Sequence, residues 1–177
     1  MFSEDEWRMF LSKWNVSRFK KSDFLTSVDE VETQLYFVIE GVQRGFFIKD
    51  GNEYTTGFSF LNSFSGIIDS FILQTPSEYY LQALTDSTLL SISYSELIQL
   101  FNHSPSFERF FRLSTEQLLC GRLKRERELL SFSAGERFRR LLRESPNAVQ
   151  LIPQKYLASY LNMTPETFSR LRRKLIS

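Results

Sequence analysis

Residues 154–177, QKYLASYLNMTPETFSRLRRKLIS, decide how the C-terminal part of the chain folds. Their pattern predicts two short helices, over 153–162 and 165–176, joined by a tight turn. A helix-turn-helix needs a small residue where its helices cross and a turn residue that tolerates a left-handed backbone. Ala158 and Asn162 meet these two requirements. The stretch therefore predicts a helix-turn-helix.

The ends and packing positions of the two predicted helices agree with this interpretation. Thr164 is placed to cap the second helix, and Pro165 takes its first position, where a missing N–H costs nothing. The apolar residues expected to hold the helices at a wide angle are Leu157, Leu161, Met163, Phe168 and Leu171. The alternative is a basic amphipathic hairpin docked on the rest of the protein.

The second helix places polar and basic side chains on its outer face. Arg170 can donate a pair of hydrogen bonds to a guanine edge, and Glu166 can accept one from a cytosine amine. Basic side chains such as Arg172 neutralise phosphates. The residues that we expect to contact DNA are Gln154, Lys155, Thr164, Glu166, Thr167, Ser169, Arg170, Arg173 and Lys174.

Charge is unevenly distributed along the chain, although the net charge is only +1. Residues 1–111 carry 8 Lys and Arg against 15 Asp and Glu, a net charge of −7. Residues 112–177 carry 14 against 6, a net charge of +8, and contain no Asp. A basic part joined to an acidic part indicates that one region meets a polyanion and the other does not.

The N-terminal half has the pattern of a β-rich domain. Its many phenylalanines, among 18 in the chain, favour strands and large buried areas. Asp50-Gly51 is a strong hairpin turn between two β-prone arms. The other predicted strands are 34–40 (QLYFVIE), 57–64, 78–84 and 87–94, the last with Leu90 and Ile92 alternating with serines. Short strands at close spacing are typical of a sandwich, barrel or jelly roll.

Helical patterns flank and follow these strands. A short amphipathic helix is predicted over 4–13, and Ser95 is expected to cap another. From Pro105 to Leu130 a long amphipathic helix has apolar residues at 107, 110, 111, 118, 119, 123 and 130. Such a helix needs a partner surface, which is either its own domain or the matching helix of a second subunit. A further helix over 133–144 begins with a capping-box sequence.

With these elements in place, the sequence resembles the Crp/Fnr family of bacterial regulators over nearly its whole length. The segments that carry the resemblance are LYFVIEGVQRGFF (35–47), FSGIIDSFILQTPSEYYLQALTDSTLLSISYSEL (64–97), RLSTEQLLCGRLKRERELLSF (112–132), RFRRLL (137–142) and TPETFSRLRRKL (164–175). They are similar to the early strands, the phosphate-binding cassette and following strands, the dimerisation helix, and two helices of the DNA-binding domain. The family's E-T-x-x-R core of the recognition helix appears as Glu166, Thr167 and Arg170.

The resemblance implies an α+β fold with three parts: a β-roll (jelly-roll) sensor over 1–104, a dimerisation helix over 105–131, and a helix-turn-helix domain over 132–177. It implies a homodimer, paired through residues 105–130, that binds a palindromic operator in double-stranded DNA. RNA polymerase is a further partner that it implies. The sequence ends directly after the recognition helix, so the wing hairpin usual in the family is not expected.

The β-roll departs from the family's cyclic-nucleotide-binding pattern. Members that bind cyclic AMP have a Gly-Glu and then an Arg-Ser/Thr-Ala that grip the cyclic phosphate. Here Ile67 follows Gly66, and Ser77-Glu78-Tyr79 stands in place of the second motif. Because a buried phosphate needs a cation and donors, we expect no cyclic AMP binding of the usual kind. A pocket for another small-molecule effector stays open, with Phe64, Gly66, Ile67, Ser77, Glu78 and Tyr79 as lining residues.

The aromatic residues of this region have a second explanation. Phe58, Phe60, Phe64, Tyr79 and Tyr80 would line such a pocket around an apolar ligand, or they would simply fill the core of the roll.

Composition argues against other classes of protein. One Cys and one His, Cys120 and His103, cannot form an intramolecular disulfide, and they cannot by themselves assemble a zinc site or an iron–sulfur cluster. A jelly roll that catalyses metal-dependent chemistry needs a His-rich ligand set, so we do not expect an enzyme. The acidic start MFSEDEWRMF has no signal-peptide core, and no apolar run is long enough to span a membrane. We therefore expect a cytoplasmic protein.

The function that these residues favour is a sequence-specific DNA-binding transcription regulator. The alternative is a ligand-binding module that acts mainly through protein partners and has weak DNA affinity. The outer face of the second helix separates the two hypotheses, since a protein-only module has no use for Glu166 and Arg170 on a capped helix.

Overall fold

The computed structural model describes residues 2–176. They form the predicted α+β architecture, with the β-strands first and the helices concentrated after them. The strands of this described part are β1 Asn15–Phe19, β2 Phe24–Thr26, β3 Gln34–Glu40, β4 Gln43–Lys49, β5 Asn52–Ser59, β6 Phe64–Ser65, β7 Tyr80–Ala83 and β8 Ser87–Ser93. Its helices are α1 Glu4–Ser12, α2 Ile68–Leu73, α3 Tyr94–His103, α4 Pro105–Ser131, α5 Ala134–Glu144, α6 Ala148–Leu151, α7 Gln154–Tyr160 and α8 Pro165–Ile176.

The strands form two four-stranded sheets, in the orders β1-β8-β3-β6 and β2-β7-β4-β5. In the first sheet β3 pairs antiparallel with β8, so that Leu35 lies opposite Ile92 and Tyr36 opposite Ser91. Apart from the β4–β5 hairpin, neighbours in each sheet are distant in sequence, as in a roll whose chain winds back and forth between two layers. This confirms the predicted β-roll.

The turn between β4 and β5 is the predicted hairpin turn. Asp50 and Gly51 have φ of 52° and 75°. Two central residues with positive φ are the signature of the turn type whose twist matches that of the flanking strands. The strand prediction for 34–40 agrees with β3, while 57–64 covers the end of β5, the loop that follows it and the first residue of β6.

Two groups of buried side chains fill the β-rich region. Inside the roll they are Tyr36, Val38, Ile67, Leu81 and Leu89. Against the helices they are Phe10, Leu35, Phe71, Ile92, Leu97, Leu100, Phe107 and Phe111. Strand β8 contributes to both groups, because Leu89 and Ile92 lie on opposite faces of it. The alternation of Leu90 and Ile92 with serines does not mark a solvent face, since Ser87 and Ser91 are buried.

Helices α3 and α5 both begin with a reciprocal capping box. Helix α3 is capped by Ser93 rather than Ser95, because Ser93 has the extended backbone of a cap and shares a reciprocal capping box with Glu96. The prediction of Ser95 was therefore wrong by two residues. At α5 the predicted box is confirmed: the Ser133 side chain accepts from the Glu136 N–H, and the Glu136 side chain accepts from the Ser133 N–H.

The chain divides into two compact units, residues 2–47 with 57–115, and residues 48–56 with 116–176. The long helix α4 begins in the first unit and ends in the second. The threefold division at 104 and 131 therefore remains a prediction. Along the described residues, no helix has both the length and the apolar character that crossing a membrane requires.

Candidate nucleic-acid interface

Helix α7 packs against α8 and contains the small residue that the sequence predicted at this position. Ala158 has no exposed surface, and neither do Leu157 of α7 and Phe168 of α8. Leu161 is also buried. A larger side chain at position 158 would force the two helices apart, so this contact fixes how closely they approach.

The turn between them has the backbone that the sequence predicted. Asn162 has a φ of 50°, the left-handed conformation that asparagine tolerates. The Met163 N–H donates to the Ala158 carbonyl at 3.0 Å. Thr164 then caps α8, because its hydroxyl accepts a hydrogen bond from the Thr167 N–H at 3.2 Å. These bonds start α8 in a fixed direction.

Helix α5 supports α8 from behind. The Phe138 ring meets the Phe168 ring edge-to-face, with centroids 5.0 Å apart and planes at 90°. Phe138 and Phe168 are both fully buried. Gly135, at the start of α5, would bring an added Cβ within 3.8 Å of Leu171. The inward face of α8 thus lies against α5 at Phe168 and Leu171.

The outward face of α8 consists of polar and charged side chains. Glu166, Ser169, Arg170 and Arg173 follow one another at positions i, i+3, i+4 and i+7, and all four are exposed. Hydrogen bonds from its own N–H and from Thr164 lower the pKa of Glu166, so that its carboxylate is ionised. This face is the one on which the predicted base contacts lie.

The remaining predicted DNA contacts lie at the two helix starts and at the end of α8. Gln154, Lys155, Thr164 and Lys174 are exposed, and Thr167 is half-buried. The Lys155 ammonium lies 4.7 Å from the ring centroid of Tyr156. The structure brings all nine residues to α7, the turn and α8, whereas their contacts with DNA stay a prediction.

Sequence reasoning missed the arginines that hold the end of α7. Arg125 of α4 donates to the Tyr160 carbonyl at 2.6 Å. Arg137 of α5 donates to the carbonyls of Leu161 at 2.7 Å and Asn162 at 3.1 Å. No spacing in the sequence signals these bonds, because they join residues 24 to 35 positions apart.

Ser159 connects α7 to the tip of the β4–β5 hairpin, which belongs to the same compact unit. Its hydroxyl accepts from the Thr55 N–H at 2.9 Å and donates to the Glu53 carbonyl at 3.0 Å. Ser159 therefore satisfies one donor and one acceptor of the hairpin backbone, and sequence reasoning did not single it out.

The residues predicted to line a pocket do not come together on one surface. Ile67 and Tyr79 pack in the interior of the roll, whereas Phe64 packs against the group of Phe10 and Phe111. Glu78 is exposed. Gly66 has a φ of 148°, which suits glycine.

Ser77, the remaining predicted pocket residue, is buried. In the described part of the chain, its hydroxyl bonds to the backbone of Tyr79. Its hydroxyl donates to the Tyr79 carbonyl at 2.8 Å and accepts from the Tyr79 N–H at 2.9 Å. Of the aromatic residues for which the sequence left a pocket and a core explanation open, Phe64 and Tyr79 pack against buried side chains, and the pocket stays a prediction.

A buried carboxylate that the sequence did not signal lies beside these residues. Glu32 is 2% exposed. It accepts hydrogen bonds from the Thr26 hydroxyl, from the Gln34 N–H at 3.1 Å and from the Ile67 N–H at 3.4 Å. Burial raises the pKa of Glu32 although these bonds oppose the shift. The carboxylate thus ties β2 and β3 to the start of α2.

Helix α4 leaves leucines uncovered in its C-terminal half. Leu119, Leu123 and Leu130 are 57%, 55% and 82% exposed, and they lie on one face at spacings of four and seven residues. On the other side of the same helix, Glu128 pairs with Arg140 of α5. One face of α4 is therefore packed within the unit, and the other presents leucines to solvent.

Comparison with known proteins agrees with this architecture. Residues 16–104, half of the chain, match the family model of the cyclic nucleotide-binding domain. No curated protein sequence matches the chain significantly.

Solved structures share the fold along most of the chain. FixK2 from Bradyrhizobium japonicum is 18% identical with a TM-score of 0.80, and the match covers 92% of this chain and 84% of that one. The global regulator CLP from Xanthomonas campestris is 22% identical with a TM-score of 0.74, covering 98% and 92%. A protein assigned to the Crp/Fnr transcriptional regulators, from Eubacterium rectale, is 16% identical with a TM-score of 0.74, covering 99% and 84%. At these identities the likeness establishes the fold.

Proposed function

The chain belongs to the cyclic nucleotide-binding domain family and has the fold of Crp/Fnr regulators, and from this premise we propose that it is a sequence-specific, DNA-binding transcription regulator. The observation that carries the proposal is the exposed face of α8. A helix that is capped by Thr164 and packed through Phe168 keeps Glu166 and Arg170 in solvent. Such a helix fits the major groove, where paired donors and acceptors distinguish base pairs.

Charge supports the same function. The α4–α8 part of the chain carries most of the Lys and Arg residues, 14 of 22 from residue 112 onward. A basic domain that carries an exposed polar helix binds phosphates through its cations and bases through the helix. RNA polymerase and a cytoplasmic location complete the proposal by analogy with the family.

The proposed regulator does not bind cyclic AMP in the usual way. Ile67 is part of the apolar interior of the roll and offers no polar side chain. The Ile67 N–H already faces the carboxylate of Glu32, which would repel a cyclic phosphate. A different small-molecule effector of the roll stays part of the proposal.

The proposed regulator is a homodimer that pairs through α4 and binds a palindromic operator. Leu119, Leu123 and Leu130 form the apolar face that a second copy of α4 would cover.

Leu123→Glu should turn the dimer into a monomer, because it buries a charge in the interface. Light scattering after size-exclusion chromatography measures this, and Lys124→Glu, on an exposed neighbour, should stay dimeric. A wild-type chain that is monomeric at all concentrations would contradict the proposal.

DNA binding is tested with a duplex selected from random sequences by the wild-type chain and a scrambled duplex. Affinity should fall steeply with salt concentration, because phosphate contacts release counterions. Arg170→Ala should weaken binding to the selected duplex by about 1–3 kcal/mol and affect the scrambled one far less. Lys174→Ala, which removes a predicted phosphate contact, is the control and should weaken both duplexes equally. Equal losses on both duplexes with Arg170→Ala would refute the base contact. If the wild-type chain selects no duplex, the result would favour the alternative of a module that acts through protein partners.

A further inference from the structure

Three consecutive carbonyls at the end of α7 are bonded by arginines from other helices. The Tyr160 carbonyl accepts from Arg125, and those of Leu161 and Asn162 accept from Arg137. The last carbonyls of a helix have no partner within that helix. In many helices a glycine in the left-handed conformation begins the motif that satisfies them. Here Asn162 takes the left-handed conformation, and side chains of α4 and α5 supply the donors.

Arg125 contacts both the ring and the backbone of Tyr160. Its guanidinium lies 3.7 Å from the centroid of the Tyr160 ring while it donates to the carbonyl of the same residue. Stacking and a charge-assisted hydrogen bond at once need the planar fork of arginine. Arg125 is partly withdrawn from solvent at this contact, and this burial lowers its pKa.

Arg125 lies on the side of α4 that is opposite the exposed leucines. Residues two apart in a helix differ in direction by about 200°, so Arg125 and Leu123 point to opposite sides of α4. One side carries the exposed leucines, and the other holds the end of α7. The pair of Glu128 with Arg140, both largely buried, ties α4 to α5 on that second side.

We propose that Arg125 is a positioning residue for DNA recognition, which fixes the helix-turn-helix to the long helix α4 and so sets the direction of α8. Arg125 does not itself touch a base in this proposal. It acts through the Tyr160 carbonyl and ring, the turn at Asn162 and the cap of α8. The inference rests on the proposed DNA-binding function, and it adds that sequence discrimination depends on a residue of α4.

The first test compares three variants on the selected and scrambled duplexes. Arg125→Ala should reduce the ratio of the two affinities by about tenfold, because a lost charge-assisted bond frees the turn. Arg125→Lys keeps the charge without the stacked fork and should give an intermediate ratio. Arg127→Ala, on an exposed arginine of the same helix, removes an equal charge and should leave the ratio within about twofold. A folded Arg125→Ala protein with the wild-type ratio would overturn the proposal. If that variant does not fold, an unchanged ratio in Arg125→Lys overturns it instead.

The second test needs no DNA. The N–H groups of Leu161, Asn162 and Met163 donate to carbonyls of α7, so their hydrogen exchange reports how firmly the turn is held. In Arg125→Ala their exchange should quicken by about tenfold while amides of α5 stay unchanged. Unchanged exchange at the turn would refute the positioning role. If the wild-type chain selects no duplex at all, the proposed function fails, and the exchange result still decides whether Arg125 holds the turn.

Discussion

In the roll, the buried polar groups of Glu32 and Ser77 bond to the protein's own backbone, whereas on α8 the side chains of Ser169 and Arg170 are exposed to solvent. Both regions contain residues that the sequence identified as candidate binding residues. Polar groups that bond within the protein gain little from a ligand, because a ligand must first break those bonds. The second region therefore has the exposed polar side chains that the proposed contacts with DNA require.

The largest expected effect concerns the core of the unit formed by residues 48–56 and 116–176. It tests whether this unit unfolds independently of the β-roll. Phe168→Ala should lower the free energy of unfolding of that region by about 3–5 kcal/mol, since Phe168 is fully buried. Circular dichroism in urea follows the helices, while fluorescence follows Trp7 and Trp14, which both lie in the first unit. We expect the transition followed by circular dichroism to shift to lower urea concentration and the transition followed by fluorescence to stay in place.

The control for this experiment is Leu151→Ala, which truncates a half-exposed leucine of the same unit and should change stability by less than about 1 kcal/mol. Coincident shifts of both transitions in Phe168→Ala would show that the two regions unfold together, and the comparison between them would then lose its thermodynamic basis.

A smaller effect concerns the buried carboxylate of the roll. Burial raises the folded-state pKa of Glu32 above its ordinary value of 4.5. A raised pKa means that the carboxyl favours folding most when protonated, so the stability of the roll should fall as pH rises from about 4.5 through the raised pKa. Tryptophan fluorescence in urea at a series of pH values measures this, and Glu32→Gln should remove the dependence.

Glu78→Gln is the matched control, because Glu78 is exposed and its replacement changes the charge equally. It should keep the wild-type dependence on pH. A roll whose stability is independent of pH in the wild-type protein would mean that the hydrogen bonds to Glu32 fully offset its burial.

The smallest expected effect concerns Ser159. Its hydroxyl satisfies the Thr55 N–H and the Glu53 carbonyl. Ser159→Ala should cost about 1 kcal/mol in the urea transition followed by circular dichroism. Ser169→Ala, at an exposed serine of α8, should leave that transition unchanged. An equally small effect of both variants would show that water replaces the bonds of Ser159.

The helix-turn-helix could be predicted from the sequence because its determinants are local. Ala158, Asn162 and Thr164 lie within seven residues, and each acts through its size, backbone preference or hydroxyl group. The hairpin at Asp50-Gly51 was predictable for the same reason. The cap of α3 was misplaced because Ser93 and Ser95 offer the same hydroxyl, and only the backbone conformation chooses between them.

The contacts that fix these elements in place could not be predicted from the sequence. Glu32 meets Ile67 across 35 positions, and Arg125 meets Tyr160 across the same number. Such partners depend on the packing of whole elements, which no local pattern contains. The serines of β8 show the same limit, since Ser91 is buried and bonds to Ser17 of the neighbouring strand.

The carboxylate of Glu166 gives α8 a polarity that its arginines alone would not. Hydrogen bonds from its own N–H and from Thr164 lower the pKa of Glu166 and so favour this negative charge in the first turn of α8, while Arg170, Arg173 and Lys174 follow toward the other end. In a major groove a carboxylate is favoured only where a base presents a hydrogen-bond donor, such as the cytosine amine. In the proposed regulator, the repulsion between Glu166 and base acceptors would therefore disfavour sequences that lack this donor, so that the residue would discriminate by exclusion.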